Sequence, residues 1–380
     1  MFSKLKKSFM LDPDIIHLNH GSFGATPKPI FDSLINWQKK LEYNPTKHLG
    51  LDIFTQLDIS RDYLAQYINC HKDDVVFFPN PSTALNTVIR SLPLKKDDEI
   101  LTTNHEYGAL DKTCNFICKK TGAKYIRQSI SIPLLSKNDF IESFKSGITE
   151  KTKVIFFSHI TSSTGLIFPA KEICKIAKEK NILCIIDGAH VPGHIDLDIK
   201  NLNPDIYTGA CHKWMCSPKG TAFLYVKKEL QETMEPLVVS WGYESDTPSH
   251  SQFLDYMQWQ GTNDISSYLT IPDTIKFLNE NNWQQVSKEC KKINKWARKE
   301  INQVLKKEPI SSDDFIGQMS SIPMNSDDIL QDQIEFYIKY KIQIPFIKWN
   351  DKEFFRISIQ IYNSKEDVIK LLEALDDKYN

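Results

Sequence analysis

Short strand-like runs, several of them wholly apolar, recur between residues 75 and 226, with turns or helical periodicity between them. They are "VVFF" (75–78), "EILTT" (99–103), "KYIRQSI" (124–130), "KVIFF" (153–157) and "ILCIID" (182–187), then "DIYTGA" (205–210) and "TAFLYV" (221–226). Behind the first run, Leu85, Val88, Ile89 and Leu92 fall at helical spacing, and 108–120 and 170–180 read as further helices. Strands that are apolar on both faces have no solvent side, so helices must cover both faces of their sheet. The pattern predicts βαβ units and a mostly parallel sheet. Such a sheet binds ligands at the carboxyl ends of its strands.

The texture changes after residue 265. A polar-rich helical stretch covers "DTIKFLNENNWQQVSKECKKINKWARKEI" (273–301). A strand at 316–324, a helix at 327–339, strands at 342–348 and 353–361, and a last helix at 365–377 follow. Ser364 and Asp367 suit a capping box for that helix. A length of 380 residues accommodates one large and one smaller domain.

The charges nearly cancel: 47 basic against 48 acidic residues leave −1. No global field recruits nucleic acid or a membrane surface. The basic run Lys4-Leu5-Lys6-Lys7 reads as a solvated face. No apolar segment stands behind the N-terminal lysines, so no secretory signal is expected. No run is long enough for a membrane helix. The eight cysteines form no CxxC pair. Cys211, His212 and Cys216 lack a fourth ligand and a zinc-site spacing, so no metal is expected. The thiols are expected to be reduced, in a cytoplasmic protein.

Polar residues cluster where the strands end. Ser82 and Thr83 open the helix after "VVFF". Glu106 and Tyr107 follow "EILTT", and Ser162 and Ser163 follow "KVIFF". Asp187 closes "ILCIID", with His190 just beyond it. Lys213 lies in "GACHKWMCSPKG" (209–220), between His212 and Trp214. Each has an ordinary explanation alone: helix caps, a strand-end acid, structural histidines, a core tyrosine, a surface lysine. On one rim they match a specific set of needs. A lysine that forms a Schiff base must lose its proton, which burial encourages. A phosphate suits a helix N-terminus. A pyridine ring used as an electron sink suits a carboxylate at its nitrogen and an aromatic face above it. These are the requirements of pyridoxal 5'-phosphate.

At these residues the chain resembles the class V aminotransferases among fold-type I pyridoxal phosphate enzymes, in its isopenicillin N epimerase-like branch. The likeness spans nearly the whole chain: "HLNHGSFGATP" (17–27), "NPSTALN" (80–86), "NHEYGALD" (104–111), "SHITSSTG" (158–165), "DGAHVPG" (187–193), "CHKWMCSPKG" (211–220), "WQGTND" (259–264) and "FRISIQIYNS" (355–364). The resemblance implies a large α/β domain at 28–264 with a mostly parallel seven-stranded sheet. Residues 1–27 would join 265–380 in a small α+β domain. It implies that Lys213 holds the cofactor covalently, that Asp187 pairs with the ring nitrogen and that His190 lies near the ring. Tyr107 would stack on the ring. Ser82, Thr83 and His212 would bind the phosphate, and Ser162 would lie near the ring hydroxyl. Gly261 and Thr262 would reach the phosphate from a second copy, in a homodimer with shared sites. Arg356 would clamp the α-carboxylate of an amino-acid substrate.

Departures narrow the chemistry. Persulfide-forming desulfurases need a cysteine on a loop shortly before the arginine, and no cysteine follows Cys290 here. Epimerisation at Cα is the first expectation, and it needs a second acid, for which His20 is the candidate. A C–S lyase or an aminotransferase is the alternative. A nucleotide-binding module is disfavoured because no G-x-G-x-x-G follows a strand and no Walker A loop is present. A family member kept only for assembly would not need Lys213, Asp187 and Arg356 together.

Overall fold

A computed structural model of the protein describes residues 5–379. Lys4, part of the basic run, and the ends of the expected small domain, 1–4 and 380, lie outside the described residues. The apolar runs form one seven-stranded sheet. Its spatial order is Val75–Phe78, Ala222–Val226, Ile206–Ala210, Leu183–Asp187, Thr152–Ser158, Glu99–Thr103, Lys124–Gln128. Only Ala222–Val226 runs against its neighbours; the other pairings are parallel.

Alternation along the strands produces two cores. Val76 and Phe78 join Phe156, Ile185 and Leu224 beneath the helices Pro81–Ser91 and Gly108–Thr121. Val75 and Phe77 face the other way, with Ile155, Phe157 and Ile186, against the helices Ile53–Ile68 and Ala170–Glu179. Burial of both faces explains the continuously apolar run Val75–Phe78, whereas the edge strand Lys124–Gln128, partly exposed, is mostly polar.

The C-terminal region forms an antiparallel sheet in the order Phe346–Trp349, Lys352–Ser358, Met319–Met324. The helices Trp283–Val304 and Lys365–Tyr379 pack there. Two expectations change. The helical stretch 273–301 breaks into Ile271–Glu280 and Trp283–Val304, because Asn282 takes a left-handed turn with φ 47°. The expected strand 342–348 also divides. Ile342–Gln343 pairs in parallel with Ile16–His17, and Pro345, which has no N–H to donate, precedes the separate strand Phe346–Trp349.

The C-terminal sheet is tied to the end of one strand of the large sheet and to the N-terminal segment. Trp349 Nε1–H donates to the Asn104 carbonyl (2.8 Å), and Ser358 N–H donates to the Leu18 carbonyl (2.8 Å). The last helix carries the expected capping box: Ser364 N–H donates to Asp367 Oδ2 (2.9 Å), and Asp367 N–H to Ser364 Oγ (3.4 Å). Ser364→Ala is expected to lower the free energy of unfolding by about 1 kcal/mol. Urea denaturation followed by circular dichroism would measure this.

Candidate active site

The segment 211–215 turns out of the strand Ile206–Ala210 and carries Lys213. Its backbone is gripped from the N-terminal segment. His20 Nε2–H donates to the Lys213 carbonyl (3.1 Å), and Cys216 N–H reaches the same oxygen (3.0 Å). Gly24, at φ +70°, passes so close that a Cβ would stand 2.0 Å from the His212 carbonyl and 2.9 Å from Lys213 Cα. Only glycine fits there. Trp214, fully buried, packs between the rings of His20 (5.1 Å) and His194 (4.1 Å).

Lys213 projects into a cavity of about 330 Å³ at the carboxyl ends of the strands. Ser82, Tyr107, Ser162, Asp187, His190, His212 and Arg356 line it as well. Asn80, Pro81 and Ser82 bring the N-terminal end of the helix Pro81–Ser91 to one side. Asp187 is buried at the floor and spends Oδ1 on the Ala189 N–H (2.9 Å). Lys213 Nζ lies 3.2 Å from His190 Nε2. Arg356 enters from the C-terminal sheet, only 3% exposed. It donates to the Ser162 carbonyl (2.6 Å) and to Ser22 Oγ (3.0 Å), while its buried Nε has no partner.

Burial dominates the electrostatics. It pushes the Lys213 pKa down to about 8; Asp187 opposes this and Arg356 assists it. About a tenth of such a lysine is free amine at pH 7, against less than a thousandth for an ordinary one. Burial also holds the Asp187 carboxyl above its usual range, with the Ala189 N–H and Lys213 acting against it. It lowers Arg356 to about 10 and His212 to about 4, the latter helped by Lys213. His190 is held well below the ordinary histidine value by burial and by the positive charges of Lys213 and Arg356.

This chemistry fits pyridoxal 5'-phosphate. The free carboxylate edge of Asp187, the helix end beside His212, and a partly deprotonated lysine converge in one small space. The unpaired Arg356 Nε marks a place for a carboxylate.

Two residues expected in this cavity, His20 and Thr83, stand outside it. His20 is fully buried outside the cavity, with the Tyr362 hydroxyl on Nδ1 (3.0 Å) and the Lys213 carbonyl on Nε2. Both nitrogens are spent, so it has no free position for a proton transfer or a substrate contact. Thr83 turns its N–H (2.8 Å) and hydroxyl (3.1 Å) onto Asn80 Oδ1 rather than into the cavity. Gly261 and Thr262, expected to serve a second copy's cavity, do not line this one, and a Cβ at Gly261 would meet only open space. Sequence reasoning passed over Asn80, Ser22 and Ser158, which line the cavity. Asn80 carried a signal, as a capping residue directly after a strand. Ser22 carried none, because its role depends on Arg356 meeting it across the two sheets.

Comparison with known proteins agrees with this picture. A profile of the aminotransferase class-V family matches residues 24–371. The chain is 28% identical to an isopenicillin N epimerase of Amycolatopsis lactamdurans, over 99% of this chain and 98% of that one. It is 27% identical to a probable chloroplastic L-cysteine desulfhydrase of Arabidopsis thaliana, over 96% of this chain and 83% of that one. Among solved structures, a C-DES mutant with glycine covalently linked to its PLP cofactor is similar at TM-score 0.82 and 18% identity. That similarity covers 96% of this chain and 97% of the other.

The lowered lysine pKa has a measurable consequence. Between about pH 8 and 10.5, the unfolded chain keeps a proton that folded Lys213 has released. Stability contributed by this group therefore rises with pH across that window. The stability difference between cofactor-free wild type and Lys213→Met, measured by denaturant titration at several pH values, is expected to shift in favour of wild type from pH 8 to 10. A flat difference would contradict the assignment.

Proposed function

The chain belongs to the aminotransferase class-V family, and we propose that it is a pyridoxal 5'-phosphate enzyme that removes the Cα proton of an L-amino acid and eliminates a sulfur group from Cβ. The observation that carries this reading is the convergence of one partly deprotonated lysine, one buried carboxylate and one unsatisfied arginine on a single cavity. Lys213 would hold the cofactor covalently and Asp187 would meet its ring nitrogen. Asn80, Ser82 and His212 would receive its phosphate, and Tyr107 would cover its ring. Ser162 and His190 would lie at the ring's other edge. When bound, the cofactor supplies an electron sink for the charge left at Cα.

The residues of this chain account for the rest. Arg356, oriented by Ser22 and the Ser162 carbonyl, offers Nε and its terminal nitrogens to the α-carboxylate. Lys213, as free amine, takes the Cα proton, and as ammonium it returns a proton to the departing sulfur. One base suffices for elimination. The buried, fully bonded state of His20 favours that outcome, since it removes the acid on which epimerisation was expected to depend.

Epimerisation remains the second reading, supported by the likeness to the Amycolatopsis enzyme over nearly the whole chain. Storage of sulfur as a protein persulfide is disfavoured, because Cys290, the last cysteine, is buried in the helix Trp283–Val304. All eight cysteines are unpaired, which supports a reducing, cytoplasmic setting. Among the described residues, no helix is long and apolar enough to cross a membrane.

A homodimer completes the proposal. Phe23, Tyr107, Val239 and Trp241 expose large apolar surfaces, Trp241 at 88%, and Gly261 with Thr262 stands free to serve another copy's cavity.

Purified protein loaded with cofactor is expected to be yellow, and borohydride should bleach it through Lys213. Incubation with a panel of L-cysteine conjugates should release pyruvate. Lys213→Ala should lower that rate by at least ~10²-fold. Inversion of a substrate without pyruvate would replace elimination by epimerisation, a keto acid retaining the side chain would indicate transamination, and a colourless protein that binds no cofactor would end the enzymatic reading. Sedimentation equilibrium should give twice the 43.9 kDa chain mass; a monomer would refute the shared site.

A further inference from the structure

Counting protons around His190 assigns a function to Trp214. The indole Nε1–H of Trp214 donates to His190 Nδ1 at 3.3 Å. An indole nitrogen can only donate, so His190 Nδ1 must be bare. A neutral imidazole carries its single proton on the other nitrogen, and His190 is kept neutral by burial beside Lys213 and Arg356. Its Nε2–H therefore points at Lys213 Nζ, 3.2 Å away. An ammonium has no lone pair with which to accept that hydrogen, but a free amine has one.

We propose that Trp214 is a positioning residue: by fixing the Nε2–H tautomer of His190, it makes the site accept Lys213 as a free amine and disfavour its ammonium. This rests on the reading of Lys213 as the base and adds the device that prepares it. The surroundings make the setting rigid. Trp214 is wedged between the rings of His20 and His194. A Cβ at Gly193 would lie 2.4 Å from the Trp214 backbone, so the two segments already touch. His194 receives the Gln318 N–H on Nε2 (2.6 Å), which leaves its Nδ1–H to hold the His190 carbonyl (3.0 Å). The backbone and ring of His190 are thus both pinned.

The charged and titratable groups facing this pair are few. Asp187, from the strand Leu183–Asp187, favours the ammonium. Arg356, from the strand Lys352–Ser358, opposes it. His194 and His212 also face His190. None of them reverses the hydrogen-bond polarity, because none bonds to either ring nitrogen of His190. A tryptophan that served packing alone would leave the lysine indifferent to the indole N–H.

Two measurements on cofactor-free protein test the proposal without relying on catalysis. First, nitrogen-15 spectra of histidine-labelled wild type, assigned with His190→Gln, should show His190 with a bare Nδ1 and a protonated Nε2. The opposite tautomer, or an imidazolium at pH 7.5, would overturn the proposal. Second, competitive acetylation across pH, read by mass spectrometry of the Lys213 peptide, should place the lysine midpoint in Trp214→Phe about one unit higher than in wild type. Phenylalanine keeps an aromatic ring but removes the donor, so the imidazole can turn a bare Nε2 toward an ammonium. An unchanged midpoint in folded Trp214→Phe would refute the role. If that variant does not fold, the tautomer measurement on wild type still decides. With cofactor and a reactive substrate, Trp214→Phe should lose ~10-fold in kcat at pH 7, with KM nearly unchanged, and recover most of it at pH 9. A loss that pH does not repair would mean that Trp214 matters only for packing.

Discussion

Two donors hold the carbonyl of Lys213: the ring of His20 and the backbone N–H of Cys216. The position of the lysine amine depends on that grip, and so do its distances to everything else in the cavity. The His20 contact joins an N-terminal segment to a loop of the large sheet. The same segment carries Ser22, which orients Arg356 from the C-terminal sheet. A shift of this strip of chain would move Lys213 and Arg356 together. Gly24 shows how tight the arrangement is, since its φ of +70° and its contact with the His212 carbonyl leave no room for a side chain.

Charge then explains what the cavity invites. Lys213 and Arg356 bring positive charge into a buried space, and Asp187 answers it only in part. The helix end at Asn80–Ser82 adds a partial positive charge. A site built this way is incomplete without anions. A phosphate at the helix end and a carboxylate at Arg356 would satisfy donors that otherwise cost stability by standing unpaired.

Much of the fold could be read before any coordinates. The runs at 75–78 and 182–187 became the strands Val75–Phe78 and Leu183–Asp187, because burial on both faces leaves a continuous apolar signature. Chain breaks were harder. The turn at Asn282 and the division around Pro345 each depend on one residue in an otherwise unbroken pattern. At the site, Asp187 and Tyr107 were legible as strand-end residues facing one rim, and Lys213 from its setting in an unusual loop. His20 misled for a physical reason. A histidine in a distinctive motif suggests chemistry, but its neighbours, Tyr362 and the Lys213 carbonyl, are 342 and 193 residues away in the chain. No local pattern could disclose that both of its nitrogens are bonded.

Residue order along this chain therefore determines which segments are strands, which ends carry polar groups and which lysine is set among packing residues, because those properties follow from local periodicity. Tertiary structure alone decides that Arg356 reaches Ser22, that Thr83 is spent on its own cap, and which nitrogen of His190 carries a proton. Those outcomes depend on distances of a few ångströms between segments far apart in sequence, and hydrogen-bond polarity is set only when the last partner is in place.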